Sequence, residues 1–514
     1  MFTLGAALRT NAVRYRQKTA LVYGERRLTF AELDERVNRL AHALAARGVG
    51  RGDRVAAFLP NVPEMVELLF ACARLGAVAA PVNLRLAPAE MARILANAEP
   101  SAVVADAAVL ARGADRLLPP VPLLVTGEGE RGAGEAYEEA LAAASPADPG
   151  VEVDDDAPWF IVYTSGTTGE PKGVVQSQKR ALFIAFVLLS EVGVSADDVG
   201  MLLMPLFHVN SIWFSSLTLA VGATCVIYPH AQFHPVRVAE EINRNGVTYS
   251  MFVPTMLSYL ADLAEKGALR TDTLRILMTS SAPLPGSLRD RLIRDFPEAR
   301  LYDVYGASEL GAVSVLRHRA GGPVGSIGYP LLLYDVRVID EEGRELPDGQ
   351  IGELVVKSPC NMLGYFRNPE ATAAARHGDY LGVGDLGYRD PATGLLYMVD
   401  RKSDRIITSG EKVYPSEVEE VLARHPDVAF AAVVGLPDER RGQAVAAFVQ
   451  LRAETARPAE QVQAELEALC REHLADYKRP RLYRFVPELP LGPTGKVLRR
   501  AVAALAAGGG DGNG

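Results

Sequence analysis

Over roughly its first 300 residues the chain alternates short apolar runs with longer segments in which apolar residues recur every three or four positions. That alternation restricts the fold to parallel sheets covered by helices. The clearest helix begins at Thr29, where Phe30, Leu33, Val37, Leu40 and Leu44 share one face and Glu32 stands three residues after a threonine cap. Further helices are expected over 62–75, 236–245 and 286–296. Strands are expected over 53–59, 103–105, 123–126, 160–163, 224–228, 249–253 and 276–279. After Gly325 the rhythm changes. Runs at 334–339, 351–357 and 395–399, with a turn at 341–344, predict hairpins and a small barrel-like subdomain over about 325–400.

Beyond residue 400 a compact α/β piece is expected, with helices over 415–423 and 458–473 and strands over 428–435 and 444–451. The sequence therefore divides into a large N-terminal domain (1–402), a small C-terminal domain (403–507) and a glycine-rich tail (508–514) that cannot bury apolar surface. The stretch 112–154, rich in Ala, Gly, Pro and Glu, predicts a loosely structured excursion.

Net charge is -9 with no basic block, which argues against nucleic acid or an anionic membrane surface as the main partner. Phosphate ligands must then be held by local loops and single cations. Cys72, Cys225, Cys360 and Cys470 form no metal-spaced pair and suggest core residues in a reducing compartment. The start lacks a basic leader and a long apolar run, and no stretch approaches a membrane span; a cytoplasmic protein is the expectation.

The run YTSGTTGEPKG at 163–173 follows Phe160, Ile161 and Val162 directly. Gly166 and Gly169 allow backbone amides to turn inward, Ser165, Thr167 and Thr168 add hydroxyl donors, and Lys172 brings a positive charge. Such a loop suits phosphate. It is not the P-loop of ordinary NTPases, because Pro171 and Gly173 flank the lysine where glycine and Ser or Thr are required. A surface turn rich in Ser, Thr and Gly is the plain alternative.

The run resembles the phosphate-binding signature of the adenylate-forming superfamily, which includes acyl-CoA synthetases, aryl-CoA ligases, nonribosomal adenylation domains and beetle luciferases. Four further motifs resemble that family's in its order: LYDVYGASELG at 301–311, GDLG at 384–387, DRKSDRII at 400–407 and PTGKV at 493–497. The resemblance runs from the helix near Leu28 to Arg500. It implies a large α/β domain of helix-covered sheets ending in the barrel-like part, and a small mobile C-terminal lid.

The implied reaction is attack of a carboxylate on the α-phosphate of ATP, giving an acyl-AMP and pyrophosphate, followed by thiol attack. By resemblance, Thr164, Ser165, Gly166, Thr167, Thr168, Gly169 and Lys172 hold phosphates, Glu309 ligates Mg2+, and Lys496 is the catalytic cation. Tyr305 packs on the adenine, and Ser281, Ala282, Asp303, Gly306 and Ser308 complete the nucleotide site. Asp385 takes the ribose hydroxyls. Arg401 divides between an ion pair with a neighbouring acid and a contact to ribose or α-phosphate, with the second preferred.

Ser403 is the hinge, and Gly410 and Glu411 belong to the loop that admits coenzyme A. His208 closes an acyl site that Val209, Trp213, Tyr249, Phe252, Ser280 and Ala307 would line. This set is mostly apolar, without a second cation, and suits a hydrophobic monoacid. Departures from the family pattern are Ser403 for a charged hinge residue, SGEK at 409–412 for Gly-Gly-Glu-Asn, Val383 for threonine, and Ser280 for glycine. Loading of an acyl carrier protein, competence in one half-reaction only, and nucleotide binding without turnover are the alternatives. A homodimer is left open.

Overall fold

Where the chain places a helix between two strands, the strands pair in parallel; where a short turn joins them, they pair antiparallel. The computed structural model describes residues 3–165, 171–230, 232–282, 284–452, 455, 457–490 and 497–507. Contacts divide the chain into Met1–Asp335 with Val356–Leu381, and Val336–Val355 with Gly382–Gly514. This grouping differs from the expected division at 402/403, because residues 336–355 and 382–402 pack with the C-terminal unit.

The first unit holds two sheets. One runs in the order Gly364–Tyr365, Pro171–Ser177, Pro158–Ser165, Val78–Pro81, Arg54–Phe58, Ala102–Asp106, Leu123–Thr126 and Glu135–Ala136. Its pairs are parallel from Pro158–Ser165 onward and antiparallel before it. Trp159 seats the strand Pro158–Ser165: its ring is fully buried and its indole N–H donates to the Leu69 carbonyl at 2.8 Å. The other sheet has a parallel centre in which Arg300–Ala307, Ile276–Thr279, Tyr249–Phe252 and Val199–Leu202 are successive neighbours.

The helix expected after Thr29 spans Phe30–Ala45. Its capping box is complete: the Glu32 N–H donates to Thr29 Oγ1 at 3.2 Å, and the Thr29 N–H donates to Glu32 Oε2 at 2.7 Å. Such a cap is worth about 1 kcal/mol.

The excursion expected over 112–154 is more ordered than its composition suggests. Tyr137–Ala143 is a helix, and Tyr137 is buried with its hydroxyl donating to Glu67 Oε2 at 2.6 Å. Glu67 is itself fully buried and accepts from Arg36 Nε at 2.6 Å. Burial pushes the Glu67 carboxyl up, and the Arg36 guanidinium and the Tyr137 hydroxyl oppose that shift. Alanine-rich segments give weak apolar contrast, so periodicity misses such a helix.

Asp335–Ile339, Gly352–Lys357, Tyr380–Arg389 and Leu396–Arg401, most of whose residues belong to the second unit, are successive neighbours. A five-stranded sheet follows, with Gly442–Leu451 flanked by Val428–Asp438 and Ile406–Thr408. Helices Pro415–Leu422 and Ala459–His473 cover it through Val418, Leu422, Val462 and Leu466.

Candidate functional site

The two ends of the glycine- and threonine-rich run are paired antiparallel strands. Pro158–Ser165 pairs with Pro171–Ser177 so that Thr164 faces Lys172 and Ser165 faces Pro171. Lys172 thus stands on a strand, and Pro171 is tolerated because it is the strand's first residue. Gly166, Thr167, Thr168 and Gly169 lie outside the described residues. The Lys172 ammonium sits over the Tyr365 ring, 5.2 Å from its centroid.

On the other sheet, Arg300–Ala307 runs parallel to Ile276–Thr279 with Asp303 beside Thr279, so the segment from Ser280 to Ala282 leaves a carboxyl strand end. Ligands of open α/β sheets bind at such ends. Burial pushes the Asp303 carboxyl up to about 7. Tyr305 is partly exposed opposite Ser314. At Gly306 a Cβ would come within 2.2 Å of the Gly311 carbonyl oxygen, so only glycine allows this crossing. Ala307 pairs with Gly311, and the Ser308 carbonyl accepts from Gln176 Nε2 at 3.0 Å.

Glu309 is held from two directions. Its carbonyl accepts from the Met362 N–H at 2.6 Å, and its Oε1 accepts from the Tyr365 hydroxyl at 2.9 Å. Among the described residues no cluster of three His, Cys, Asp or Glu side chains offers a protein cage for a metal. One partly exposed carboxylate bonded to the tyrosine that Lys172 overlies fits Mg2+, which is held by one or two protein carboxylates with phosphate oxygens and waters.

The position that calls for glycine is 281, not 280. Ser281 has φ 75°, in the left-handed region, and Ser280 is absent from the residues with positive φ. Ser280 is buried and its Oγ lies 3.5 Å from Met251 Sδ.

His208 caps the buried helix Val209–Ala220. Its N–H donates to the Pro205 carbonyl at 3.0 Å, its carbonyl accepts from the Ser211 N–H at 3.1 Å, and its ring packs on Phe207. Val209 and Trp213 lie four residues apart on one helix face. Trp213 Nε1 and Ser216 Oγ are buried with no hydrogen-bond partner among the described residues.

Tyr249 and Phe252 do not line one surface. They stand three residues apart on a strand and face opposite sides. Tyr249 packs on Phe214 and bonds Thr218 Oγ1 at 2.5 Å, whereas Phe252 lies in the core with Val238, Ile242, Leu257 and Leu260. Met251, on the Tyr249 side, lines a small cavity with Met204, Asn210, Ser211 and Phe214. Residue-by-residue similarity missed Met251; the two-residue period of the strand identifies it.

In the second unit Asp385 is 2% exposed and pairs in register with Arg401, whose Nε donates to its Oδ1 at 3.0 Å. Arg401 therefore engages the neighbouring acid that sequence reasoning ranked second. Ser403 Oγ donates to Asp404 Oδ1 at 3.1 Å. Thr408 faces Glu411 across a two-residue turn in which Ser409 has φ 52° and Gly410 φ 84°. Both values suit a type I′ hairpin. Glu411 is exposed. Lys496 lies outside the described residues, as does the tail 508–514; on either side of the lysine segment, the Leu498 N–H donates to the Pro490 carbonyl at 2.9 Å.

A glycine- and threonine-bearing hairpin, a strand end carrying an aromatic and a carboxylate, and a separate α/β unit together define an adenylate-forming enzyme. The chain belongs to the family of AMP-binding enzymes, whose model matches residues 8–366, with the AMP-binding enzyme C-terminal domain over 417–496. It is 34% identical to the fatty acid–[acyl-carrier-protein] ligase ScoC of Streptomyces coeruleorubidus, over 92% of this chain and 91% of that protein. It is 35% identical to a feruloyl-CoA synthase of Amycolatopsis, over 94% and 95%. The structure of o-succinylbenzoate CoA synthetase (MenE) from Bacillus subtilis, in complex with the acyl-adenylate intermediate OSB-AMP, superposes with a TM-score of 0.84 at 30% identity, covering 99% of this chain and 98% of that one.

Proposed function

We propose that this acid–CoA ligase activates a hydrophobic monocarboxylic acid with ATP and passes the acyl group to coenzyme A. In the first step a carboxylate oxygen bonds to the α-phosphorus, the α–β phosphoanhydride breaks, and pyrophosphate leaves. In the second the thiolate sulfur bonds to the acyl carbon and AMP departs. Bound Mg2+ would neutralise charge on the phosphate oxygens. Thr164, Lys172 and the hairpin amides would hold the phosphates, Lys496 would stabilise the crowded α-phosphoryl group, and Asp385, oriented by Arg401, would take the ribose.

The observation that carries the reading is the convergence of the hairpin cation Lys172 and the carboxylate of Glu309 on one side chain, Tyr365. The apolar acyl side is supported by Val209, Trp213 and Met251, with no cation among them. Transfer to an acyl carrier protein is the second reading, favoured by similarity to a carrier-protein ligase. The proposed lid is residues 403–507, turning about Ser403. We place the protein in the cytoplasm: its four cysteines are free and buried, and among the described residues no helix is long and apolar enough to cross a membrane.

The test is a mass-spectrometric assay with ATP, a mixed panel of carboxylic acids, and either coenzyme A or a holo carrier protein. Acyl-CoA from apolar monoacids is expected. Product on the carrier alone would overturn the choice of acceptor, and ATP binding without pyrophosphate release from any acid would overturn catalysis.

A further inference from the structure

The segment around Tyr365 carries neither a phosphate-binding pattern nor a metal-ligand spacing, yet it lies between the two halves of the nucleotide site. Gly364–Tyr365 adds as a short strand to the outer edge of the phosphate hairpin, pairing with Val174 and Val175. The Leu363 N–H donates to the Val175 carbonyl at 3.0 Å, and the Phe366 N–H to the Gly173 carbonyl at 2.7 Å. Four residues of one segment thus register the strand that carries Lys172.

The same segment reaches the other sheet through the Met362 N–H on the Glu309 carbonyl and the Tyr365 hydroxyl on the Glu309 carboxylate. From the far side, the Thr372 hydroxyl accepts from the Tyr365 N–H at 2.9 Å, so the tyrosine backbone is fixed independently of its ring. A carboxylate has about four acceptor positions, so one hydrogen bond from a phenol orients it without consuming its capacity for a metal. The ring face meets the Lys172 ammonium, which limits where that cation can rest.

We propose that Tyr365 is a positioning residue for adenylation: its hydroxyl sets the orientation in which Glu309 receives Mg2+, and its ring sets the place of Lys172 against the phosphates. This rests on the reading of Glu309 as the metal ligand and Lys172 as a phosphate cation. The two roles separate by chemistry, because Tyr365→Phe removes the hydroxyl and keeps the ring, whereas Tyr365→Leu removes both.

The test uses the full chain and Mn2+ as a probe for Mg2+. Free Mn2+ is measured by electron paramagnetic resonance in the presence of a non-hydrolysable ATP analogue, and analogue affinity is measured separately without metal. Tyr365→Phe is expected to weaken Mn2+ binding about 10-fold, the scale on which outer partners of metal ligands act. Its metal-free nucleotide affinity should match wild type, and Tyr365→Leu should lose both. Thioester formation from supplied acyl-AMP and coenzyme A should stay at the wild-type rate in each variant, which a general loss of structure would not allow.

Mn2+ affinity within about two-fold of wild type in Tyr365→Phe, well inside the expected effect, would overturn the role of the hydroxyl. Equal loss in both half-reactions would overturn positioning altogether. If Tyr365→Phe fails to fold, Tyr365→Trp, which likewise removes the hydroxyl and keeps an aromatic face, supplies the test, with the same expected loss of Mn2+ affinity of about 10-fold and the same limit of about two-fold. A wild-type protein that releases no pyrophosphate with any acid would overturn the adenylation reading itself, an outcome separate from an inert tyrosine in an active enzyme.

Discussion

Replacing each of two adjacent serines by glycine should move stability in opposite directions. Ser281 holds φ 75°, a region that costs a residue with a Cβ about 1–2 kcal/mol relative to glycine. Glycine gives back about 0.4–1 kcal/mol through the greater freedom of the unfolded chain. Ser281→Gly should therefore stabilise by roughly 0.5–1 kcal/mol, the difference of those terms. Ser280 has no such strain to relieve, and its Oγ contact to Met251 would be lost, so Ser280→Gly should destabilise by about 1 kcal/mol. Urea unfolding of the two variants with unchanged slopes measures both. The segment borders Asp303, so pyrophosphate release should rise in Ser281→Gly and not in Ser280→Gly. Destabilisation by Ser281→Gly, or the same sign at both positions, would refute the assignment of strain.

Lys496→Ala should slow acyl-adenylate formation at least ~100-fold while sparing thioester formation from supplied acyl-AMP, as rapid-quench assays of each half-reaction will show. Asp385→Ala should weaken ATP and AMP alike by calorimetry and leave the fold intact, because its partner Arg401 is 51% exposed and can be solvated; Glu309→Gln should spare AMP binding and raise the metal requirement. The raised Asp303 carboxyl means that the folded state holds a proton the unfolded chain releases between 3.8 and about 7. Its contribution to stability is accordingly full below that window, is lost as pH rises through it at up to about 1.4 kcal/mol per pH unit, and is constant above. Asp303→Asn should flatten that slope in unfolding measured from pH 4 to pH 8, at about the limits of the window.

Much of the architecture was legible because apolar spacing and caps act locally. The Thr29–Glu32 box and the strand Ile276–Thr279 are set by residues within a few positions of one another. The strand pairing was not legible: proline and glycine after the phosphate run read as a loop exit, and only pairing with Tyr163 and Val162 reveals Gly173 and Val174 as strand. Similarity grouped Tyr249 with Phe252, although the pleat sends them to opposite faces. Tyr365 left no signal because a lone aromatic has no spacing to measure; its role arises from a long-range meeting with Glu309. Glycine preference at 281 likewise belongs to the backbone angle, which no residue type in TSSAP announces.

The turn at Ser409 and Gly410 has a consequence for the timing of acyl transfer. Its strands close immediately on either side, with Thr408 opposite Glu411 and Ile406 opposite Val413, and the Ser409 N–H donates to the Arg441 carbonyl at 2.8 Å. A tip built this way is already ordered before any thiol arrives. If the unit turns to bring it to the acyl-adenylate, it travels as a finished part, and no loop has to freeze during each turnover. The waiting time for thioester formation would then be set by the swing and by capture of the pantetheine arm. Disrupting the tip, as Gly410→Val would by placing a β-branched residue at φ 84°, should lengthen that wait without touching adenylation.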